Sequence, residues 1–167
     1  ADAGVTFGQA DDDVDGLPLA DLGQVEKFYT DGTINIGSTD ITGPITLRGG
    51  ASSAAATFSL STLSDSVRFN GAVILQSGAT IDTDDLEGSE SPLDNTTTLG
   101  ADILFTNDAS IDSFTGETND LTFDAGHFSV LFNEDLGATR RLGAFTVTEA
   151  DAGVTFGQAD DDVDGLP

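Results

Sequence analysis

The sequence predicts an all-β fold of short strands stacked in parallel ladders, a β-solenoid. Three observations predict it. Apolar and polar residues alternate over very short runs, rich in Val, Ile, Thr and Phe and bounded by Gly, Asn or Asp. A pattern of aliphatic residue, any residue, then Phe recurs at Val67/Phe69, Ile103/Phe105, Leu121/Phe123, Val130/Phe132 and Val154/Phe156. The first eighteen residues, ADAGVTFGQADDDVDGLP, return unchanged as the last eighteen, at an offset of 149 residues.

The alternation places strands, in chain order, at Val5–Phe7, Thr33–Ile36, Ile45–Leu47, Thr57–Leu60, Val67–Phe69, Val73–Leu75, Ile103–Phe105, Leu121–Phe123, Ser129–Phe132, Ala144–Thr148 and Val154–Phe156. Residues two apart on a strand share a face, so each aliphatic–any–Phe pattern turns two apolar side chains inward before a turn residue follows. The intervals Phe105–Phe123, Phe123–Phe145 and Phe132–Phe156 suit coils whose Phe residues stack from turn to turn. The one helix candidate is Leu19–Tyr29, where Leu19, Leu22, Val25 and Phe28 share a face, weakened by Gly23. The alternative fold is a tandem β-sandwich, which needs longer strands and tight hairpins; Asn70-Gly71 is the best hairpin candidate.

The exact repeat reads as a window on a tandem array. Residues 1–149 form one unit of arbitrary phase, with 9–29 an acidic loop or joint and 30–149 the β-solenoid. Residues 150–167 begin the next unit, and both copies are expected to play one role in consecutive units. The neighbours are then identical repeats, head to tail, in one chain or in stacked subunits.

The chain carries 30 Asp and Glu against 5 Lys and Arg, a net charge of −25. Nucleic acids and anionic membranes need a cationic footprint, so neither is an expected partner. Water and hard cations are. There is no Cys, which excludes disulfides, thiolate catalysis and Cys-ligated zinc, and suits an exported, cell-surface protein. The apolar runs are too short to insert in a membrane.

The run Val67–Gly157 contains VRFNGAVILQSGATIDT, GADILFTNDASID, NDLTFDAG, FSVLFNEDLG, LGAFTVTEA and AGVTFG. In content and order these segments resemble the repeats of filamentous-haemagglutinin-like adhesins and related giant secreted proteins. Each segment is low in information and their order carries the weight. The resemblance covers about ninety residues, and Thr33–Gly50 more loosely. It implies a right-handed parallel β-helix at the cell surface. Gln9–Tyr29 departs from the pattern.

That departing stretch holds the sharpest chemical motif. Asp11, Asp13 and Asp15, followed by Gly16, have D-x-D-x-D-G spacing. Alternate carboxylates converge on one hard cation while Gly lets the loop wrap it, so calcium is the expected ligand. Leu17 would give its carbonyl. Leu22 stands where a bidentate acid is expected, and Asp21, one residue earlier, is the substitute. Asp160, Asp162 and Asp164 repeat the motif. It resembles the calcium loops of dockerins and integrin-type propeller blades, whose further acids are not matched. The plain alternative is a solvated acidic loop.

Other candidates read more blandly. His127 is a turn histidine with no nucleophile marked nearby. Asp82, Asp84 and Asp85 form a second acidic cluster that could hold a cation weakly, ahead of a loop over Leu86–Thr98. Arg140 and Arg141 are expected to pair with Glu134 or Asp135. Asn95-Thr96-Thr97 is a sequon of a kind common by chance.

Three functional classes follow. The first is a structural module of a long extracellular filament or adhesin, a calcium-stiffened acidic stalk of six to eight coils per unit. The second is a module whose loops bind a glycan or cell-surface receptor. The third is a polysaccharide-active enzyme on a parallel β-helix. The last needs a basic residue to take a proton from a polyanionic sugar, and five scattered cations on this surface disfavour it. The expectation is therefore no enzyme.

Overall fold

The computed structural model describes residues 33–37, 43–49, 57–62, 64–84, 100–106 and 109–157, and the backbone of two strands at 6–7 and 27–28. Among the described residues there are fourteen strands and no helix. They are β1 (Thr6–Phe7), β2 (Lys27–Phe28), β3 (Ile34–Ile36), β4 (Ile45–Leu47), β5 (Phe58–Thr62), β6 (Val67–Phe69) and β7 (Val73–Leu75). There follow β8 (Ala79–Asp82), β9 (Ile103–Phe105), β10 (Ile111–Ser113), β11 (Leu121–Asp124), β12 (Ser129–Phe132), β13 (Phe145–Glu149) and β14 (Gly153–Phe156).

Every pairing among the described strands is parallel. The first sheet runs β1-β4-β7-β10, the second β2-β5-β8-β11-β13 and the third β3-β6-β9-β12-β14. The chain visits the three sheets in fixed rotation, one strand in each per pass. On the last pass the first sheet keeps only a parallel bridge between Leu136 and Ile111. No sheet is more than five strands deep among the described residues, against the expected six to eight coils.

Two-residue periodicity builds the core. In β4, β7 and β9 the outer residues are buried and the middle one is not. The inward residues Ile45, Leu47, Val73, Leu75, Ile103 and Phe105 are at most 1% exposed. The inward faces of all three sheets meet in one apolar cluster. Nearly flat ring stacks run up the third sheet: Phe69 on Phe105 at 4.5 Å, Phe105 on Phe132 at 5.2 Å, Phe132 on Phe156 at 5.2 Å. The Phe132–Phe156 interval is therefore one pass. The Phe105–Phe123 interval is not, because those rings come from different sheets and meet edge-on.

Several expectations are corrected. Asn70-Gly71 is not a hairpin: β6 before it lies in the third sheet and β7 after it in the first, so it turns a corner. The tail of the helix candidate, Lys27–Phe28, is strand β2, paired with Ser61 and Thr62 of β5; residues 19–26 lie outside the described residues. Strands β8 and β10 are additions. The apolar content of β8 includes a small Ala79, and β10 has only Ile111, with Ser113 buried behind it.

The repeated segment occupies two different positions. Thr6 and Phe7 pair with Thr46 and Leu47 in the first sheet. The identical Thr155 and Phe156 pair with Leu131 and Phe132 in the third. The two copies thus pair with different neighbours in this chain.

Gly100 permits a close approach between backbones. Its φ of +99° is open to glycine, and a Cβ there would collide with the Ala125 carbonyl.

Candidate functional site

The residues predicted to hold calcium, Asp11, Asp13, Asp15, Leu17 and Asp21 with Asp160, Asp162 and Asp164, lie outside the described residues. So do Asp85 and the Leu86–Thr98 loop. The described part of the second acidic cluster, Asp82 and Asp84, sits at the corner where the second sheet gives way to the third.

Strand register builds this corner. Asp82 pairs with Asp124, and Asp124 with Glu149 after a local slip in register. Each acid directly follows or closely follows an inward apolar residue, in the sequences TID, TFD and TVTE. That grammar was visible in the chain; the stacking of the three passes was not. Like charges opposite one another on adjacent strands repel. Part of the carboxylate capacity is spent on turns: Asp84 N–H donates to Asp82 Oδ1 at 2.9 Å and Gly126 N–H donates to Asp124 Oδ1 at 3.1 Å.

Asp84 remains the costly member. Its Oδ1 is buried without a hydrogen-bond partner. Burial raises its pKa above the usual carboxylate value, the Asp124 and Glu149 charges raise it further, and His127 opposes them. His127 lies in its predicted turn, but with a partner the sequence did not suggest: Nδ1 is 2.6 Å from Asp151 Oδ2. Two trios offer ligand atoms within 4.8 Å of one another, Asp84 with Asp124 and Glu149, and His127 with Glu149 and Asp151. Glu149 is common to both. The first trio is all oxygen, which suits a hard cation; the second includes an imidazole.

Other acids have a different job. Asp102, Asp112 and Asp120 each accept main-chain hydrogen bonds from the following pass. Ser129 N–H and Oγ donate to Asp102 Oδ1 at 3.0 and 2.6 Å. Thr139 and Arg140 N–H donate to Asp112 Oδ1 at 3.0 and 2.8 Å. Ala144 N–H donates to Asp120 Oδ1 at 2.6 Å. Charged acceptors make strong bonds of this kind. A share of the acidity is thus structural. Arg140 is fixed through its amide, and among the described residues no ion pair joins it or Arg141 to Glu134 or Asp135.

On the outer face of the second sheet an open groove of about 340 Å³ is lined by Thr57, Thr80, Thr118, Asn119, Asp120 and Thr122. Among the described residues no helix is long and apolar enough to cross a membrane. Comparison of the chain with protein-family models, curated proteins and solved structures finds no match.

Proposed function

We propose that this chain is a structural module of a long extracellular filament or adhesin, a stiff acidic β-solenoid of the right-handed, filamentous-haemagglutinin-like kind. The observation that carries the reading is the fixed rotation of the chain through three parallel sheets. Such a body grows along one axis, and five rungs at about 4.8 Å add roughly 24 Å. The exact eighteen-residue repeat supports growth by repetition. The charge supports solubility of a long array.

Calcium at the D-x-D-x-D-G loops stiffens the joints in this reading. Titration of Ca²⁺ by calorimetry into the full chain, beside Asp13→Asn and Asp15→Asn, tests that part. Binding that disappears in the variants supports it, and binding unchanged in them removes it. Small-angle scattering before and after chelation tests the stiffness.

A second reading, a glycan-binding adhesin module, is favoured by the hydroxyl-lined groove on the second sheet. Soluble neutral oligosaccharides that shift Thr80 and Thr122 resonances would support it.

A further inference from the structure

We propose that the N-terminal copy of the repeated segment from a second copy of this chain can take the place of β14 on β12. Subunits would then join by exchange of an identical strand. This deepens the array reading by naming the contact that stacked subunits would use.

The seat is fully described. Val154 pairs with Val130, Thr155 with Leu131 and Phe156 with Phe132. Ala152 N–H donates to Phe128 O at 3.2 Å, and Gly157 N–H to Phe132 O at 2.8 Å. The Phe156 ring lies nearly parallel to Phe132 at 5.2 Å and packs against Phe145 at 5.7 Å. Val154 packs on the core from the same strand. All these groups of β14 have a duplicate: Ala3 to Gly8 equals Ala152 to Gly157, residue for residue. Whatever fits β12 in one copy fits it in the other.

Two further observations favour exchange. The N-terminal copy already forms a parallel edge strand, on β4 of the first sheet, so the segment accepts more than one parallel neighbour. The resident strand is also the end strand of its sheet, and its Phe156 ring is 59% exposed. Added strands bind through main-chain hydrogen bonds, with alternate side chains supplying specificity. The resident β14 competes from a short tether at an effective concentration on the order of millimolar. Exchange is therefore a minor equilibrium in the intact chain, raised when the resident strand is weakened.

The chain has no Cys, so introduced thiols report the contact directly. A full chain carrying Thr6→Cys is mixed with one carrying Leu131→Cys and oxidised mildly. In-register parallel neighbours are close enough for a disulfide. The expected product is a mixed dimer in excess of that formed with Thr146→Cys, an exposed control on the second sheet. Adding Phe156→Asp to the Leu131→Cys chain should raise the yield roughly tenfold, by removing the resident ring contacts and setting a charge against the Phe132 and Phe145 rings. Adding Phe7→Asp to the Thr6→Cys chain should abolish the excess. If Phe156→Asp does not fold, the pair in the unaltered background still carries the test. No excess over the control in any folded background, or an excess indifferent to Phe7→Asp, overturns the proposal. Failure here would leave the array reading standing, because a covalently continuous array needs no exchange; loss of the stacked parallel register would sink both.

Discussion

The Thr83 hydroxyl bonds both the N–H and the carbonyl of Ala101. Oγ1 donates to the Ala101 carbonyl at 2.7 Å and accepts from the Ala101 N–H at 3.1 Å. Thr83 and Ala101 are both buried, and the chain between them includes the Leu86–Thr98 segment. This pair ties the end of β8 to the approach to β9. Thr83→Val keeps the shape and leaves both Ala101 groups without that partner. The expected cost is about 2 kcal/mol, or roughly 6 °C in Tm for a chain of this size. Thr83→Ser should restore most of it. Thermal unfolding followed by circular dichroism checks both.

Position along the Phe column should set the cost of truncation. Phe105 is 1% exposed and meets Phe69, Phe123 and Phe132, whereas Phe156 is 59% exposed at the last described rung. Phe105→Ala is expected to cost about 4 kcal/mol through lost burial and the cavity it leaves. Phe156→Ala is expected to cost less than about 1 kcal/mol, since little area is removed from water there. Urea midpoints of the two variants would compare them, and equal costs would contradict the burial of the column.

Asp112 serves as an acceptor for two amides of the following pass. Asp112→Ala removes both bonds and should cost about 2 kcal/mol. Asp112→Asn keeps an oxygen acceptor and should cost about half as much. Faster hydrogen exchange at the Thr139 and Arg140 amides in the alanine variant would localise the effect.

Asp84 gives stability a dependence on pH. Its pKa is raised in the fold, first by burial and then by Asp124 and Glu149. The folded state therefore holds this proton more tightly than the unfolded state. Its contribution is fully present below the unfolded value of 3.8 and is lost as pH rises through the raised folded value. Deprotonated Asp84 thus opposes folding at neutral pH. Asp84→Asn should raise Tm at pH 7 and flatten this part of the pH profile. A variant that instead loses stability at pH 7 would contradict the role of the buried charge.

The strands of the fold were legible wherever two large apolar residues flank one other, as in Val67/Phe69 and Ile103/Phe105, because that spacing commits both to one face. β10 was not, because Ile111 is its only large apolar residue and Ser113 fills the second inward place while accepting from Asn119 N–H. Asn70-Gly71 misled for a physical reason: the residues that favour a hairpin also turn a corner between sheets. The acidic corner was half legible. Asp82 and Asp84 stood out as a run, but Asp124, Glu149 and Asp151 join them only through the stacking of passes, which no local pattern encodes.

Parallel stacking in register is the claim on which the rest depends. Asn35, Arg68, Leu104, Leu131 and Thr155 occupy consecutive strands of the third sheet at one register position. Spin labels on Asn35→Cys and Thr155→Cys, read by pulsed dipolar spectroscopy, span four strand spacings. The predicted mean separation is about 20 Å, allowing for the labels. A separation beyond about 30 Å, or one spread over many values, would contradict the stacked parallel fold.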